Sequence, residues 1–221
     1  MTAIVAIENM SLDKEITVGD EVLKAYGTNT YIEVGENIKV KDLLYGLILR
    51  SGNDAALTLA KNIENKKGNF IDLMNEKAKE IGMENTSFAN PHGLDEETRN
   101  YSTAYDMALL SKYAYRNKIY KTISKTKKYS LKTDKKSYVW YNRNKLLSTY
   151  PYCTGGKNGY TPSAGKTLVT TANKDNLNVS VLMIRAESFR QIKKAYPNYF
   201  LDTKLFLGAV NEILNNGINY K

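Results

Sequence analysis

The spacing of apolar residues changes about halfway along this chain. Between residues 40 and 115 they recur at helical intervals, as at Val40, Leu43, Leu44, Leu47 and Ile48. Between residues 127 and 185 the runs are shorter, bounded by turn residues and typical of strands. Helices followed by strands, rather than helices alternating with strands, predict an α+β fold with an antiparallel sheet.

This pattern predicts individual elements along the chain. Residues 1–10 indicate the end of a buried helix, Asn69 caps a helix that stops near Gly82, and Ser102 begins another. The predicted elements are short strands at 15–18 and 31–34, helices at 40–50, 54–63, 70–81 and 102–115, a hairpin at 127–142 with its turn at 133–136, strands at 166–172 and 177–185, and a closing helix at 201–214.

Composition excludes several kinds of site. Cys153 is the only cysteine and His92 the only histidine among 221 residues. An internal disulfide, a multi-cysteine zinc site and a two-histidine motif are therefore excluded, and we expect no metal and no cofactor. No stretch reaches the ~20 consecutive apolar residues of a membrane-spanning helix. Residues 1–10 lack the basic start and the cleavage site of a signal peptide.

The chain is basic, with a net charge of +9 and a pI near 9.3. Such a charge attracts nucleic acid, anionic lipid or an anionic cell wall, and it does not choose among them. The densest basic run consists of Lys125, Lys127, Lys128, Lys132, Lys135 and Lys136. Because it alternates with Thr, Ser, Tyr and Leu, we interpret it as the solvated face of a hairpin rather than a dedicated binding surface.

Two short motifs carry the candidate chemistry. Ser51-Gly52-Asn53 separates two apolar helices, and Lys157-Asn158-Gly159 lies in a predicted strand. Taken singly, the first fits an ordinary turn and the second an unusual strand. Taken together, in this order, they correspond to the second and third motifs of the active-site-serine enzymes that recognise penicillin, which also need a Ser-x-x-Lys motif.

The chain resembles the D-alanyl-D-alanine carboxypeptidases of peptidase family S11, the low-molecular-mass penicillin-binding proteins, from residue 1 to about 188. The segments that carry the resemblance are 40–49, 51–56, 90–94, 102–108, 142–147, 156–161 and 164–165. The resemblance implies a β-lactamase/transpeptidase-like fold, an antiparallel sheet packed with helices plus a mostly helical subdomain. We expect one catalytic domain over 1–221 without its N-terminal strands, its helical part (about 38–124) preceding a strand-rich part (about 126–187).

The resemblance also implies a function: a serine-type carboxypeptidase that cleaves peptidoglycan pentapeptides ending in D-Ala-D-Ala and is inhibited by β-lactams. It implies an extracytoplasmic location in the cell envelope, allows membrane-surface association of a full-length protein, and gives no role to nucleic acid. The implied catalytic residues are Ser51, as a proton relay, and Asn53, as a hydrogen-bonding partner of the substrate carbonyl. The implied substrate-binding residues are Lys157, Asn158, Gly159, Tyr160, Thr161 and Arg143.

Two departures from the family pattern matter. Asn158 stands where the family usually has Thr, and its amide can donate a similar hydrogen bond. By family register the nucleophilic serine would lie just ahead of Met1, so we expect the chain as given to be inactive. Ser11 and Lys14 match Ser-x-x-Lys literally, but we expect them in a loop. The alternatives are a non-catalytic peptidoglycan-binding protein and a β-lactamase-like hydrolase.

Two single residues invite other chemistry. His92 could serve as a triad base, and Cys153 could serve as a nucleophile. We interpret His92 as a hydrogen-bonding loop residue, because the family's reaction uses lysine. We interpret Cys153 as a small hydrophobic side chain.

Overall fold

The computed structural model describes residues 1–174, 177–180 and 184–186. The helices are α1 (Thr2–Asn9), α2 (Val40–Tyr45), α3 (Asn53–Lys67), α4 (Phe70–Glu80), α5 (Ala104–Arg116), α6 (Lys118–Lys125) and α7 (Leu146–Thr149), with a 3₁₀ turn at Asp20–Lys24 and a π-helical turn at Gly46–Arg50. The strands are β1 (Glu15–Thr17), β2 (Asn37–Lys39), β3 (Lys128–Lys132), β4 (Ser137–Tyr141), β5 (Cys153–Thr161), β6 (Gly165–Lys174), β7 (Leu177–Ser180) and β8 (Ile184–Ala186).

All described strand pairs are antiparallel. β1 pairs with β2, and β3 pairs with β4 as a hairpin. β6 is the centre of the third sheet, where it pairs with β5 on one side and with β7 and β8 along the other. Helices and antiparallel sheets therefore make up the described chain, which confirms the predicted α+β class. The division into a single domain with a helical and a strand-rich part stays a prediction.

The main hydrophobic core lies between α1, α2, α3 and the hairpin. α3 contributes the stripe Ala55, Ala56, Leu59 and Ile63, at the spacing that places side chains on one face of a helix. The hairpin contributes Tyr138 and Trp140, alternate residues of β4 that point to the same face. The helix α1 packs against α3, on which Ala55, Ala56 and Ala60 are small buried residues.

Most predicted elements are confirmed. The 127–142 hairpin pairs Lys128 with Tyr141 and Lys132 with Ser137. Asn69 caps α4, where its side chain accepts a hydrogen bond from Ile71 N, and Gly82 follows the helix with a positive φ of 83°. The predicted start of α5 is wrong by one residue, because the Thr103 hydroxyl, rather than Ser102, accepts from Asp106 N. The helices α6 and α7 were not predicted.

The predicted strand at 31–34 is wrong. Tyr31 has a φ of +65°, a conformation incompatible with an extended strand. The backbone N–H groups of Thr30, Tyr31 and Ile32 donate to the Asp54 carboxylate instead of to a neighbouring strand. The partner of β1 is therefore β2, a few residues further along the chain.

Fewer predictions can be compared with the structure near the end of the chain, where only residues 177–180 and 184–186 are described beyond residue 174. Within the predicted strand at 177–185, the described residues form β7 and β8, which pair with different parts of β6. The predicted helix at 201–214 lies outside the described residues. Within the described residues, no helix combines the length and the apolar character that crossing a membrane requires.

Candidate active site

Ser51 occupies a strained backbone position at the end of the π-helical turn. Its φ and ψ are 59° and 44°, the left-handed region that residues with a side chain rarely adopt. π-Helical turns and left-handed residues cluster at functional sites, where the surrounding structure holds them in place. Here the turn lies between α2 and α3, where Ser51 is partly exposed and Leu47 and Ile48 just before it are buried.

Gly52 and Asn53 continue the motif into α3. A Cβ on Gly52 would lie 2.5 Å from Thr30 Cγ2 and 2.8 Å from Asp54 Oδ1, so only glycine fits. Asn53 is buried, its backbone N–H donates to Thr28 O (2.8 Å) and its side-chain Nδ2 donates to Tyr26 O (2.6 Å). The 26–30 segment therefore fixes the orientation of the Asn53 amide.

Asp54 is a residue that sequence reasoning missed. Its buried carboxylate accepts from Thr30 N (2.9 Å), Tyr31 N (2.7 Å), Ile32 N (3.3 Å) and Ala55 N (2.8 Å). It therefore holds the 30–32 segment against the start of α3 and sustains the left-handed conformation of Tyr31. An acidic residue in the first turn of a predicted helix, directly after the motif, is the one signal that could have pointed to it.

Lys157 brings the second motif to the first. It lies on β5, and its ammonium group donates to the Ser51 hydroxyl and to the Asn158 carbonyl oxygen (2.5 Å). Burial, and after it the nearby Arg143 charge, lowers the pKa of Lys157 to about 8. The two motifs, 106 positions apart in sequence, therefore meet directly.

Arg143 also lies at this site. Its guanidinium donates to Thr28 Oγ1 (3.2 Å), and its backbone N–H donates to Leu49 O (3.1 Å) just before the Ser51 turn. Its charge acts on the Lys157 amine. Two cations therefore converge on one place, an arrangement that suits a carboxylate.

Glycines let β5 pack closely against β6 and α6. A Cβ on Gly156 would lie 2.3 Å from Val169 O, and one on Gly159 would lie 2.7 Å from Thr167 Oγ1. Among the described strands β5 pairs only with β6, so its second edge carries backbone groups without a strand partner. Such an edge can accept an extended peptide as an additional strand.

The remaining predicted residues lie along β5. Strand alternation places Thr161 on the same side as Lys157, and Asn158 and Tyr160 on the other. Tyr160 is exposed, whereas the buried Thr161 hydroxyl accepts from Ala164 N (3.1 Å) in the turn to β6. The structure therefore brings Ser51, Asn53, Lys157 and Arg143 together. The Thr161 hydroxyl, at the end of the strand, is engaged in the turn to β6.

The residues with competing interpretations lie elsewhere. Lys14 N donates to Ser11 O (3.1 Å) in a turn after α1, so these two side chains do not share a helical face. His92 Nδ1 accepts from Leu94 N (3.3 Å) within its loop, and burial lowers the pKa of His92. Cys153 is half-buried, near Thr170 Oγ1 (3.4 Å).

The N-terminal end of α1 adjoins the site. Burial, and after it the Lys157 charge, lowers the pKa of the Met1 amino group to about 5. Thr2 Oγ1 donates to Pro91 O (2.7 Å), which ties this end of α1 to the loop that carries His92. No cluster of three or more potential metal ligands occurs in the part of the chain that the structure describes.

The candidate active site as a whole combines a hydroxyl, an amide, two cations and a strand edge. Such groups can bind and polarise a peptide that ends in a carboxylate.

Solved structures of similar fold define the class of protein. The Streptomyces K15 DD-transpeptidase aligns with a TM-score of 0.79 at 30% identity, over 91% of this chain and 83% of that one. A D-alanyl-D-alanine carboxypeptidase from Mycobacterium tuberculosis H37Rv aligns with a TM-score of 0.77 at 30% identity, over 84% of this chain and 70% of that one. The fold is therefore that of the DD-peptidases, as predicted.

Sequence comparison identifies the family. The profile of peptidase family S11, described as D-alanyl-D-alanine carboxypeptidase, matches residues 1–188, and the chain belongs to this family. The D-alanyl-D-alanine carboxypeptidase DacF of Bacillus subtilis is 36% identical over 181 residues. That alignment covers 81% of this chain and 46% of DacF, so the chain spans less than half the length of this relative.

Proposed function

We propose that this chain carries the substrate-binding half of a serine-type D-alanyl-D-alanine carboxypeptidase. The substrate would be a peptidoglycan stem peptide ending in D-Ala-D-Ala, cleaved through an acyl-enzyme. The observation that carries the proposal is the direct contact between the Lys157 ammonium and the Ser51 hydroxyl, with Arg143 beside them. Family membership supports the same reaction class.

Each side chain receives a role in this proposal. Lys157 and Arg143 bind the terminal carboxylate, with Asn158 and Thr161 assisting. Ser51 passes a proton to the departing D-alanine amine, and Asn53 donates to the carbonyl of the preceding peptide bond. Gly159 lets the peptide lie along the edge of β5, and the backbone N–H of Tyr160 supplies one donor to the oxyanion.

We propose further that the nucleophile is a serine joined to the N-terminal end of α1. In the S11 family, the Ser-x-x-Lys motif immediately precedes the segment that corresponds to the start of α1. That end of α1 lies within electrostatic reach of Lys157. A motif lysine one helical turn from the serine would accept its proton. By this proposal the chain as given binds the substrate's terminus without becoming acylated.

Intact mass after incubation with benzylpenicillin tests the proposal. The chain as given should gain no stable adduct while its circular dichroism shows a folded protein. The same chain extended at Met1 with the segment of Bacillus subtilis DacF that directly precedes its aligned region should gain one adduct. A matched extension in which the motif serine is replaced by alanine should gain none.

Peptide mapping separates the alternatives. An adduct on Ser11 or Ser51 of the unextended chain would contradict the assigned nucleophile. Binding of N-acetyl-D-Ala-D-Ala by the chain as given, with no labelling of either extended form, would favour a non-catalytic peptidoglycan-binding protein. Rapid release of hydrolysed penicillin by the extended chain would favour a β-lactamase-like hydrolase.

A further inference from the structure

The chain separates its charges along the sequence. Residues 107–174 contain fifteen lysines and arginines and a single acidic residue, Asp134. Residues 1–106 contain eighteen acidic and eleven basic residues. The basic character of the protein therefore resides in one part of the chain, which includes α6 and the β3–β4 hairpin.

The helix α6 presents a row of lysines to solvent. Lys118, Lys121 and Lys125 lie three and four residues apart, a spacing that places them on one face of the helix, and all three are exposed. The opposite face packs inward, with Ile123 buried and Ile119 and Tyr120 against the core. This helix was not evident from the sequence, and it extends the basic run beyond the hairpin.

The hairpin that directly follows α6 carries further exposed lysines. Lys128 and Lys132 lie on the exposed face of β3, while Tyr138 and Trp140 of β4 face the core. Lys127 lies at the junction with α6, where Asn142 Nδ2 donates to Ser124 O (3.1 Å) and Thr126 O (3.0 Å). We call the six exposed residues Lys118, Lys121, Lys125, Lys127, Lys128 and Lys132 the lysine face.

The lysine face is not neutralised by the protein. Among the described residues, no carboxylate lies within 4.0 Å of any of its six amines. Two of them contact rings instead, Lys121 over Tyr115 (4.5 Å) and Lys128 over Tyr141 (5.6 Å). Uncompensated like charges repel one another and do not stabilise the fold, whereas they attract a polyanion.

The extent of the lysine face indicates the shape of the partner. α6 is about 12 Å long at 1.5 Å per residue, and Lys128 and Lys132 lie about 13 Å apart along β3. These lengths exceed the Debye length of about 8 Å at physiological ionic strength. The outer lysines therefore act on separate charges, as a chain of repeated anions provides and a single small anion does not.

The side chains between the lysines indicate its chemistry. Thr122, Ser130 and Ser137 are exposed hydroxyls suited to phosphate oxygens, whereas Val139 and Tyr141 are the large apolar side chains on the exposed face of the hairpin. Docking on a bilayer would need a larger apolar contribution. Stacking of nucleobases would need open aromatic faces. Tyr138 and Trp140 are buried, and the exposed Tyr141 ring already has the Lys128 amine over it (5.6 Å).

We propose that the lysine face binds a linear polymer of phosphodiester-linked polyols in the cell wall. Only the compartment rests on the proposed function; the binding itself does not depend on catalysis. Such contacts would hold the enzyme on the wall by ion pairing, with affinity falling steeply as salt rises.

Titration with poly(glycerol phosphate) over a series of KCl concentrations tests the proposal. The triple variant Lys118→Gln, Lys121→Gln, Lys125→Gln should weaken binding about tenfold and reduce the log–log salt slope by about 2, roughly 0.7 for each lost contact. The matched control Lys24→Gln, Lys39→Gln, Lys61→Gln removes the same charge from exposed lysines in residues 1–106. It should leave both quantities nearly unchanged.

Three outcomes would overturn the proposal. Equal weakening in the two triple variants would mean that net charge alone drives binding. Tighter binding to phosphatidylglycerol vesicles would identify a membrane as the partner, and tighter binding to a single-stranded oligonucleotide of equal charge would identify nucleic acid. Penicillin labelling of the extended chain should be the same in both triple variants. Labelling therefore tests the proposed function, and polymer binding tests the lysine face independently of it.

Discussion

The two sides of the candidate active site are held in place by different means. On the helical side, Ser51 has a strained backbone. Asn53 donates a hydrogen bond to the 26–32 segment and Asp54 accepts others from it, and these bonds fix the motif. On the strand side, Lys157 lies on a regular strand positioned by glycines that allow close packing against β6. Specific polar contacts therefore hold the helical side in place, whereas close backbone packing at glycines holds the strand side.

This difference determines what each side tolerates. A polar clamp fails when its acceptor is removed, because several backbone donors then lose their partner at once. A close-packed strand fails when an atom is added, because the neighbouring backbone must move. Removing a polar side-chain group should therefore destabilise the helical side. Adding even one methyl group should destabilise the strand side.

The largest effect should come from Asp54→Ala. Four backbone N–H groups, including those of Thr30 and Tyr31, would lose their carboxylate acceptor in a buried position. Each unsatisfied donor costs about 1–3 kcal/mol, partly relieved by water, so we expect a loss of about 3 kcal/mol. Urea denaturation followed by circular dichroism measures it.

A matched variant guards against a general charge effect. Glu76→Gln removes an exposed carboxylate on α4 and should change the free energy of unfolding by less than about 0.5 kcal/mol. Equal losses of stability in the two variants would show that the hydrogen bonds of Asp54 to the 30–32 segment do not stabilise the fold.

Gly156→Ala should have the next largest effect. Its Cβ would lie 2.3 Å from Val169 O and 2.8 Å from Thr170 Cα, so β5 and β6 must separate locally. We expect a loss of about 2 kcal/mol from this overpacking together with the positive φ of 140°.

Gly68→Ala is the control for the backbone strain alone. Gly68 also has a positive φ, 91°, but nothing lies within 4 Å of its added Cβ. It should cost about 1 kcal/mol. If urea midpoints show the two variants to be equally destabilised, close packing does not position β5.

The core of the site could be predicted from sequence because its evidence was local. Each motif occupied few residues, and the resemblance to the active-site-serine enzymes implied that both belong to one site. Ser51 and Lys157 do meet. The alternation of β3 and β4 likewise predicted a hairpin, which the pairing of Ser130 with Val139 confirms. In both cases short-range pattern and final structure agree.

The parts that sequence reasoning missed depend on long-range contacts. The 31–34 segment has strand-like composition, but Asp54, more than twenty positions away, captures its amides. α6 has only three apolar residues in eight, and it forms where Asn117 caps it and the core buries Ile123. No local pattern reports such partners, so the Asp54 hydrogen bonds and the part of the lysine face on α6 became evident only in the structure.

The pH dependence of ligand binding should have a smaller effect. With a pKa of about 8, Lys157 loses its charge over a range in which the ligand carboxylate stays ionised. The affinity for N-acetyl-D-Ala-D-Ala should therefore fall about tenfold between pH 7 and pH 9, measured by calorimetry. The peptide amide, which lacks the carboxylate, should show no such fall, and a parallel fall for both would exclude Lys157 as the cause.

Stability should change in the opposite direction over the adjoining pH range. Between pH 8 and the ordinary lysine pKa of 10.5, the unfolded chain binds more protons at this lysine than the folded chain does. The free energy of unfolding should therefore rise with pH relative to that of Lys157→Met, which lacks the titrating group. A falling difference would mean that the pKa of Lys157 is not lowered.

The smallest effect concerns the strained backbone of Ser51. Ser51→Gly and Ser51→Ala both remove the hydroxyl that Lys157 contacts, but only glycine adopts φ 59° and ψ 44° without steric cost. The glycine variant should therefore be more stable than the alanine variant by about 1 kcal/mol, while both lack the hydroxyl of the proposed proton relay. Because the lost contact is common to both, the difference in their urea midpoints isolates the strain on the helical side. Equal midpoints would mean that this turn stores no strain, and that the hydroxyl is held by hydrogen bonding alone.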